Sequence, residues 1–305
     1  MKIIDAHGHL GDILYRDGGK LIQQTGIKFP VSFWEWFLCE RTLYRETVFF
    51  KTAEKLSPYW SVKRERKRNA AATLENLQKS LEGTNVVKCV CAPVAPNVIY
   101  DDLRAAADIE PRIIPFTSPD FTSANMPDQL AADLKNGAVG VKIHPIIQEM
   151  DADSENVMKA VETAQPYSVP ILLHAGPARY YLPADDKIRL RFIDCASIGR
   201  IKRLITAFPN VNFIVGHAGL DDFRQVIDVM PNYKNVYVDT SFQYPESIRE
   251  LIAALGGNRV MFASDWHYGL RKPAIATVIE ACGNDAGLIQ AVFYDNAAHL
   301  LNIKE

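Results

Sequence analysis

The sequence predicts an α/β protein, a (β/α)8 TIM barrel that forms a single domain over residues 1–305. Short runs rich in β-branched residues alternate along the chain with amphipathic segments of helical spacing. Near-continuous apolar strands that alternate with helices are typical of a parallel sheet covered by helices, and eight such units close a barrel of about 250 residues. An open doubly wound sheet would need a Gly-rich phosphate turn after its first strand, and none follows it.

The eight predicted strands follow one another from the N-terminus to residue 264. The first begins almost at Met1 and ends in the pair His7 and His9. The other seven are predicted at Val86–Cys91, Arg112–Phe116, Ala138–His144, Pro170–His174, Val211–His217, Asn235–Thr240 and Arg259–Ser264. The segments between them repeat apolar residues three and four positions apart, as at Ile248, Leu251, Ile252 and Leu255. This spacing predicts helices that pack one face on the sheet.

A helical, aromatic-rich insertion is predicted after the first strand, at about residues 10–82. Its aromatic residues are Phe33, Trp34, Trp36, Phe37, Tyr44, Phe49, Phe50, Tyr59 and Trp60. So many large apolar groups need burial, so we expect them to form either a lid over the barrel mouth or the contact of a homodimer. The basic run Lys63–Arg68 has a helical context without interleaved aromatics, which favours a solvated helix face over a nucleic-acid patch.

Composition indicates a small-molecule substrate, with no nucleic acid and no membrane as partner. The formal net charge of -2 gives no general attraction to polyanions. No run of about 18 apolar residues could span a bilayer, and no signal segment precedes the first strand, so we expect a cytoplasmic protein. The five cysteines form neither a disulfide framework nor a C-x-x-C spacing.

Several polar residues stand where the predicted strands end, and these ends converge at the active-site face of such a barrel. Four of the seven histidines are among them. His7 and His9 follow strand one and share a face, because residues i and i+2 of a strand point the same way. His174, His217 and Asp265 close strands five, six and eight. Five polar groups around one cavity need a partner that neutralises them, which predicts a metal site.

Six short motifs lie along these strand ends and the last helix. They are Asp5-Ala6-His7-Gly8-His9, Gly-Val-Lys-Ile-His-Pro at 140–145, His174-Ala175-Gly176, Gly216-His217-Ala218-Gly219, Ser264-Asp265-Trp266 and Asn296-Ala297-Ala298. Together they resemble the amidohydrolase superfamily, in particular its amidohydrolase-related branch, which includes the aminocarboxymuconate-semialdehyde decarboxylases. The resemblance implies one divalent ion, usually zinc, with His7, His9, His174 and Asp265 as ligands. It also implies that His217 is the general acid/base.

The predicted activity is that of a metal-dependent hydrolase. Imidazole and carboxylate ligands suit zinc, which lowers the pKa of a bound water from 15.7 towards about 7. Asp265 is expected as a ligand or as a partner of that water, and His217 as the residue that moves protons or as a fifth ligand. The expected substrate is a small, anionic or cyclic amide or ester. Alternatives are the non-oxidative decarboxylation of a conjugated carboxylic acid, a TatD-type nuclease, and a non-catalytic metal-binding barrel.

Lys142 closes strand four, where two-metal relatives carry a lysine that bridges two ions as a carbamate. We expect one ion if Lys142 stays an ammonium, paired with Asp265 or with a substrate carboxylate, and two ions if Lys142 is carboxylated. A TatD-type nuclease would need a glutamate in place of Lys142 and a basic face, so this lysine and the net charge of -2 argue against a nuclease.

Substrate contacts are predicted in the loops after strands five and eight. Arg179 follows strand five, and Trp266, with His267 and Tyr268 beyond it, follows strand eight. A cation beside an aromatic wall suits a small acidic or cyclic substrate. Arg189 or Arg191 is an alternative to Arg179.

Three more polar residues have two interpretations each. Asp5 and Asp239 either orient a ligand imidazole or bond to the backbone as residues of the barrel floor. His144 either lines the rim beside Lys142 or caps the loop at Pro145.

Overall fold

The computed structural model describes residues 1–31, 58–181 and 194–303, and of residues 58–61 only the backbone. All eight predicted strands are present and the paired ones run parallel. They are β1 Ile3–Asp5, β2 Val86–Cys91, β3 Ile113–Pro115, β4 Val141–Ile143, β5 Ile171–Leu173, β6 Phe213–Val215, β7 Val236–Asp239 and β8 Val260–Met261. The (β/α)8 prediction is confirmed, although β1 ends at Asp5, so that His7 and His9 lie in the loop beyond the strand.

Two backbone bridges join these strands into a closed ring. Strands β1, β2 and β3 pair in one sheet, and β4 to β8 pair in order in a second. Thr117, just after β3, bridges to Val141 of β4, and Gly8, just after β1, bridges to Trp266 beyond β8. Closure leaves no unpaired edge among the eight described strands and brings the first and last of them side by side.

Helices cover the strands on the outside. They are α1 Pro58–Asn69, α2 Leu74–Leu81, α3 Tyr100–Ile109, α4 Met126–Lys135, α5 Glu155–Ala164, α6 Ile198–Ala207, α7 Phe223–Val229, α8 Pro245–Leu255, α9 Arg271–Cys282, α10 Ala286–Gln290 and α11 Asn296–Leu300, and the π-helical segment Ala291–Asp295 joins the last two. Helix α8 buries Ile248, Leu251 and Leu255, as its apolar spacing predicts. Among the helices that the structure describes, none is long and apolar enough to cross a membrane.

Alternate residues of the strands face two different cores. One set packs inside the barrel and includes Ile4, Val90, Ile114, Leu172, Ile214 and Met261. Their neighbours, such as Ile3, Cys89, Ile113 and Ile171, pack under the helices. Lys142 lies between two residues of the helix-facing core, Val141 and Ile143, so its own side chain points into the barrel, where it is fully buried.

A buried ion pair fastens β1 to the segment after β8. Arg271, the first residue of α9, donates from Nε to Oδ2 of Asp5 at 2.9 Å. Ser264 donates to the same carboxylate from its amide at 2.8 Å and from its hydroxyl at 2.6 Å. Burial raises the pKa of Asp5, and the nearby Arg271 opposes that shift. Asp5 therefore completes barrel closure, and its carboxylate is not bonded to His7.

Replacing Arg271 by methionine should lower the free energy of unfolding by about 3–5 kcal/mol, because Asp5 would stay buried without its counter-ion. The matched control is Arg249→Met, which removes a half-exposed arginine that pairs with Glu246 at 3.5 Å. That control should cost less than about 1 kcal/mol. Urea unfolding of both variants measures the difference, and equal losses would contradict the structural role of the Asp5 pair.

Seven of the nine aromatic residues named in the predicted insertion lie within residues 32–57, outside the described residues, and so do the lid and homodimer predictions that depend on them. The basic run belongs to α1. Its exposed members are Lys63, Arg64 and Lys67, as a solvated face requires. Arg68 differs from the prediction, because it is buried and donates from Nη1 to the backbone carbonyl of Tyr268.

Candidate metal centre

The ends of four strands bring the five predicted side chains into one buried cluster. The residues, none of them more than 3% exposed, are His7, His9, His174, His217 and Asp265. Ligand atoms of His7, His9 and Asp265 all lie within 4.8 Å of one another. Oδ1 of Asp265 is 3.3 Å from Nε2 of His9 and 3.7 Å from Nε2 of His7. Side chains from opposite ends of the sequence thus meet around one point.

Hydrogen bonds fix the protons of His7 and His9 on Nδ1. His7 donates from Nδ1 to Oδ2 of Asp239 at 2.8 Å. His9 donates from Nδ1 to the carbonyl of Ala92, which can only accept, at 2.6 Å. Nε2 of each ring therefore carries a lone pair near Asp265. A histidine whose second nitrogen donates to a carboxylate or carbonyl is oriented as metal-binding histidines are.

His174 lies beside this group, and its nitrogens are outside the 4.8 Å set. Its ring stacks on His144 with the centroids 4.0 Å apart and meets His217 edge-on at 5.0 Å. Neither ring nitrogen has a hydrogen-bond partner in the described part of the chain. Burial, with the nearby Lys142, lowers the pKa of His174 to about 3. The ring is therefore neutral and keeps an unused lone pair.

Several buried polar atoms of the cluster have no hydrogen-bond partner among the described residues, which makes the cluster suitable for a cation. Besides the nitrogens of His174, Oδ1 of Asp265 has no hydrogen-bond partner among the described residues. An unsatisfied buried polar atom costs about 1–3 kcal/mol, and a charged one more. Burial raises the pKa of Asp265 well above its usual range, with Lys142 opposing. Imidazole nitrogens and a carboxylate are a donor set for zinc or manganese, so a divalent ion fits these residues.

Asp239 at the end of β7 organises both His7 and His217. Its Oδ1 accepts from the amide of His217 at 3.0 Å and from the hydroxyl of Ser241 at 2.5 Å. Because that hydroxyl already donates to Asp239, its oxygen accepts from Nδ1 of His217, at 2.7 Å. Nε2 of His217 is then the acceptor atom of the ring. Burial, with the nearby His7, lowers the pKa of His217 well below its usual value.

The backbone after β6 holds His217 in a left-handed conformation. His217 has a φ of 55° and Ala218 a φ of 44°, and each such non-glycine residue costs about 1–3 kcal/mol. Two side chains offset this cost. Asp239 binds the amide of His217, and Gln243 donates to its carbonyl at 2.7 Å. The strained turn places the imidazole against the ring of His7, with the two centroids 4.8 Å apart.

Lys142 contacts the nitrogen of His7 that faces the cluster. Its Nζ donates to Nε2 of His7 at 2.9 Å. Burial lowers the pKa of Lys142 to about 8, with Asp265 and Asp239 opposing that shift. An ion that binds Nε2 of His7 must therefore displace this hydrogen bond.

The sequence matches a known protein family. A family model described as amidohydrolase matches residues 4–303, nearly the whole chain. The chain belongs to the amidohydrolase family. This membership confirms the resemblance that the strand-end motifs indicated, and it supports a metal-dependent enzyme. No curated protein matches the sequence significantly.

Solved structures share the amidohydrolase's fold at low sequence identity. A TIM-barrel protein from Bordetella bronchiseptica is 13% identical with a TM-score of 0.67, and the match covers 99% of each chain. A 5-carboxyvanillate decarboxylase from Novosphingobium aromaticivorans, in complex with manganese and 4-hydroxy-3-methoxy-5-nitrobenzoic acid, is 16% identical with a TM-score of 0.66 over 99% and 96%. A 2,6-dihydroxybenzoate decarboxylase from Rhizobium is 14% identical with a TM-score of 0.59 over 99% of each chain. These similarities show the fold.

Neither predicted substrate contact reaches the cluster of this amidohydrolase in the described residues. Arg179 is exposed. Trp266 is buried, stacked on Phe29 with centroids 5.7 Å apart and covered by the guanidinium of Arg271 at 5.1 Å. Its ring therefore packs between Phe29 and Arg271 and not against the histidines of the cluster. The alternatives Arg189 and Arg191 lie outside the described residues.

Two other rings of the predicted aromatic wall, Tyr268 and His267, do lie beside the amidohydrolase's cluster, and so does Tyr180. Tyr268 lies 6.1 Å from the ring of His9, and Tyr180 lies 6.3 Å from the ring of His174. His267 packs on Tyr268 at 4.4 Å, and neither of its ring nitrogens has a hydrogen-bond partner in this part of the structure. Tyr180 directly follows Arg179 in the sequence. The spacing of residues alone does not show that Tyr180 is buried and Arg179 is exposed.

Proposed function

We propose that this amidohydrolase is a metal-dependent hydrolase that cleaves a small anionic amide or ester. His7, His9, His174 and Asp265 would hold one divalent ion, zinc by its ligand preference. The main support for hydrolysis is the position of the proton on the ring of His217. Because Nδ1 donates to Ser241, Nε2 remains the acceptor, so the neutral ring begins as a general base.

A bound divalent ion supplies Lewis acidity, which polarises a carbonyl and lowers the pKa of water. His217 would take a proton from the attacking water at Nε2 and deliver it to the leaving group. Ser241 and Asp239 hold the ring in place while its charge changes. Oδ2 of Asp265, at 3.8 Å from Nδ1 of His217, would stabilise the imidazolium.

The charges at the cluster favour an anionic substrate. Asp239, Asp265 and Lys142 are buried at the cluster, and with an ion bound we count the two aspartates as carboxylates and the lysine as an ammonium. With a divalent ion the centre would carry one net positive charge. An uncompensated buried charge is costly, so a substrate carboxylate would complete the balance. We propose that Lys142 stays an ammonium beside a single ion, and a carbamate bridge between two ions is the alternative.

Decarboxylation of a conjugated carboxylic acid is the second candidate. It is favoured by the two decarboxylases that share the fold over 99% of this chain, one of which binds manganese. His217 would then deliver a proton to carbon, so it would have to begin the reaction protonated. Manganese would be the alternative ion.

Product analysis separates the two candidates. The metal-loaded protein is incubated in ¹⁸O-labelled water with aryl esters, lactones and amides of aromatic acids, and with carboxyl-¹³C 2,6-dihydroxybenzoate and 5-carboxyvanillate. Hydrolysis predicts ¹⁸O in a product carboxylate without ¹³CO₂. Release of ¹³CO₂ without cleavage of any ester or amide would overturn hydrolysis in favour of the carboxy-lyase.

A further inference from the structure

Tyr180 and His144 form a buried pair beside the candidate metal centre, and the proposed proton transfers use neither. Tyr180 is 8% exposed and His144 is 1% exposed. The ring of His144 stacks on His174, and the ring of Tyr180 meets His144 at 5.4 Å and Tyr268 at 5.8 Å. The phenol is therefore held by aromatic rings on two sides.

Hydrogen bonds assign the direction of the Tyr180 hydroxyl. The amide of Ile147 donates to Nδ1 of His144 at 3.3 Å, so Nδ1 is the acceptor and Nε2 carries the ring proton. Nε2 then donates to Oη of Tyr180, at 3.2 Å. The reverse direction would need a proton on Nδ1, where the amide of Ile147 already points. Tyr180 thus accepts from His144 and keeps its own proton for another acceptor.

No acceptor for that proton is found among the described residues. A buried tyrosine hydroxyl usually donates a hydrogen bond, so a donor without an acceptor in the described part of the chain is available to a ligand. The cluster beside Tyr180 is where the substrate would bind. The backbone carbonyl of Tyr180 is also fixed, because it accepts from Nε of Arg66 at 3.2 Å. A donor held in this way is preorganised for a ligand.

We propose that Tyr180 donates its hydroxyl proton to a carboxylate oxygen of the substrate, and that His144 sets the direction of this hydrogen bond. Tyr180 is then a substrate-binding residue, and His144 is its positioning residue. The inference rests on the proposed function in one respect: it places an anionic substrate beside the metal ligands. It goes further by naming the residue that recognises the carboxylate.

The test uses benzoate as the probe and the zinc-loaded full-length protein. Tyr180→Phe removes only the hydroxyl and should raise the Kd for benzoate about 10-fold, as expected when a charged group loses a hydrogen bond. Zinc content should stay the same. His144→Phe keeps the stacked ring but loses the donor, and it should raise the Kd by a smaller factor, about 3-fold. Titration calorimetry measures each Kd.

The matched control is Tyr181→Phe at the neighbouring position. Tyr181 is also buried, and its hydroxyl donates to the carbonyl of Leu14 at 3.4 Å. This variant should bind benzoate like the unchanged protein. The inference would be overturned if Tyr180→Phe bound benzoate as tightly as the wild-type protein. It would also be overturned if the wild-type protein bound no benzoate.

These results are distinguishable from the failure of the proposed function. If benzoate binding depends on Tyr180 but no ester or amide is cleaved, the inference stands and hydrolysis fails. If hydrolysis occurs and Tyr180→Phe leaves the KM for the anionic substrate unchanged, hydrolysis stands and the inference fails.

Discussion

Replacing His9 by alanine should abolish binding of the divalent ion and lower turnover by at least about 10³-fold. His9 offers an Nε2 lone pair whose direction is set by the bond from Nδ1 to Ala92. Substitutions that only disturb such orienting bonds cost 10–100-fold in metal affinity or activity, so the loss of a donor should cost more. Elemental analysis of the purified variant and its turnover number give the two readouts.

The control for this substitution is His299→Ala in α11, where the histidine is exposed and is not one of the residues of the buried cluster. This variant should keep one ion per chain and full activity. A His9→Ala protein that retains a tightly bound ion would contradict the assignment of His9 as a ligand.

His217→Asn should keep the ion and lower kcat by about 10²–10⁴-fold, the usual contribution of a general base. The asparagine can still bond to Ser241, but it has no ring nitrogen that accepts a proton. Ser241→Ala removes the acceptor for Nδ1 together with the hydroxyl that donates to Asp239, and it should have a smaller effect, on the order of 10-fold. Metal content and single-turnover rates separate binding from proton transfer.

Two results for His217→Asn would change the role assigned to His217. Unchanged turnover would favour the non-catalytic barrel, and loss of the ion together with activity would make His217 a fifth ligand.

The sequence predicted the barrel well because its signals are local. The run at Val86–Cys91 has the bounds that the structure shows for β2. The histidines at 7, 9, 174 and 217 were found because every strand of a parallel barrel ends at the same face. Their convergence could therefore be predicted from the order of the strands, without knowledge of side-chain packing.

Contacts that depend on strand register and side-chain direction could not be predicted from the sequence. Asp5 was one of two candidates for orienting a ligand imidazole, but its carboxylate bonds to Ser264 and Arg271 instead. Arg68 appeared to be one more cation of a solvated helix, because its bond to the Tyr268 carbonyl joins residues 200 positions apart. Ser241 and Tyr180 gain their roles from residues that follow other strands, His217 after β6 and His144 after β4.

We expect side chains from the two ends of the chain to hold one divalent ion. Anomalous diffraction at the zinc edge, from crystals grown at neutral pH with one equivalent of zinc, tests it most directly. We expect one peak per chain, in contact with Nε2 of His7, Nε2 of His9, the ring of His174 and the carboxylate of Asp265. No peak among these groups, with the imidazoles gathered around water or bonded to each other, would contradict the metal site, and a second peak beside Lys142 would replace the single ion by a bridged pair.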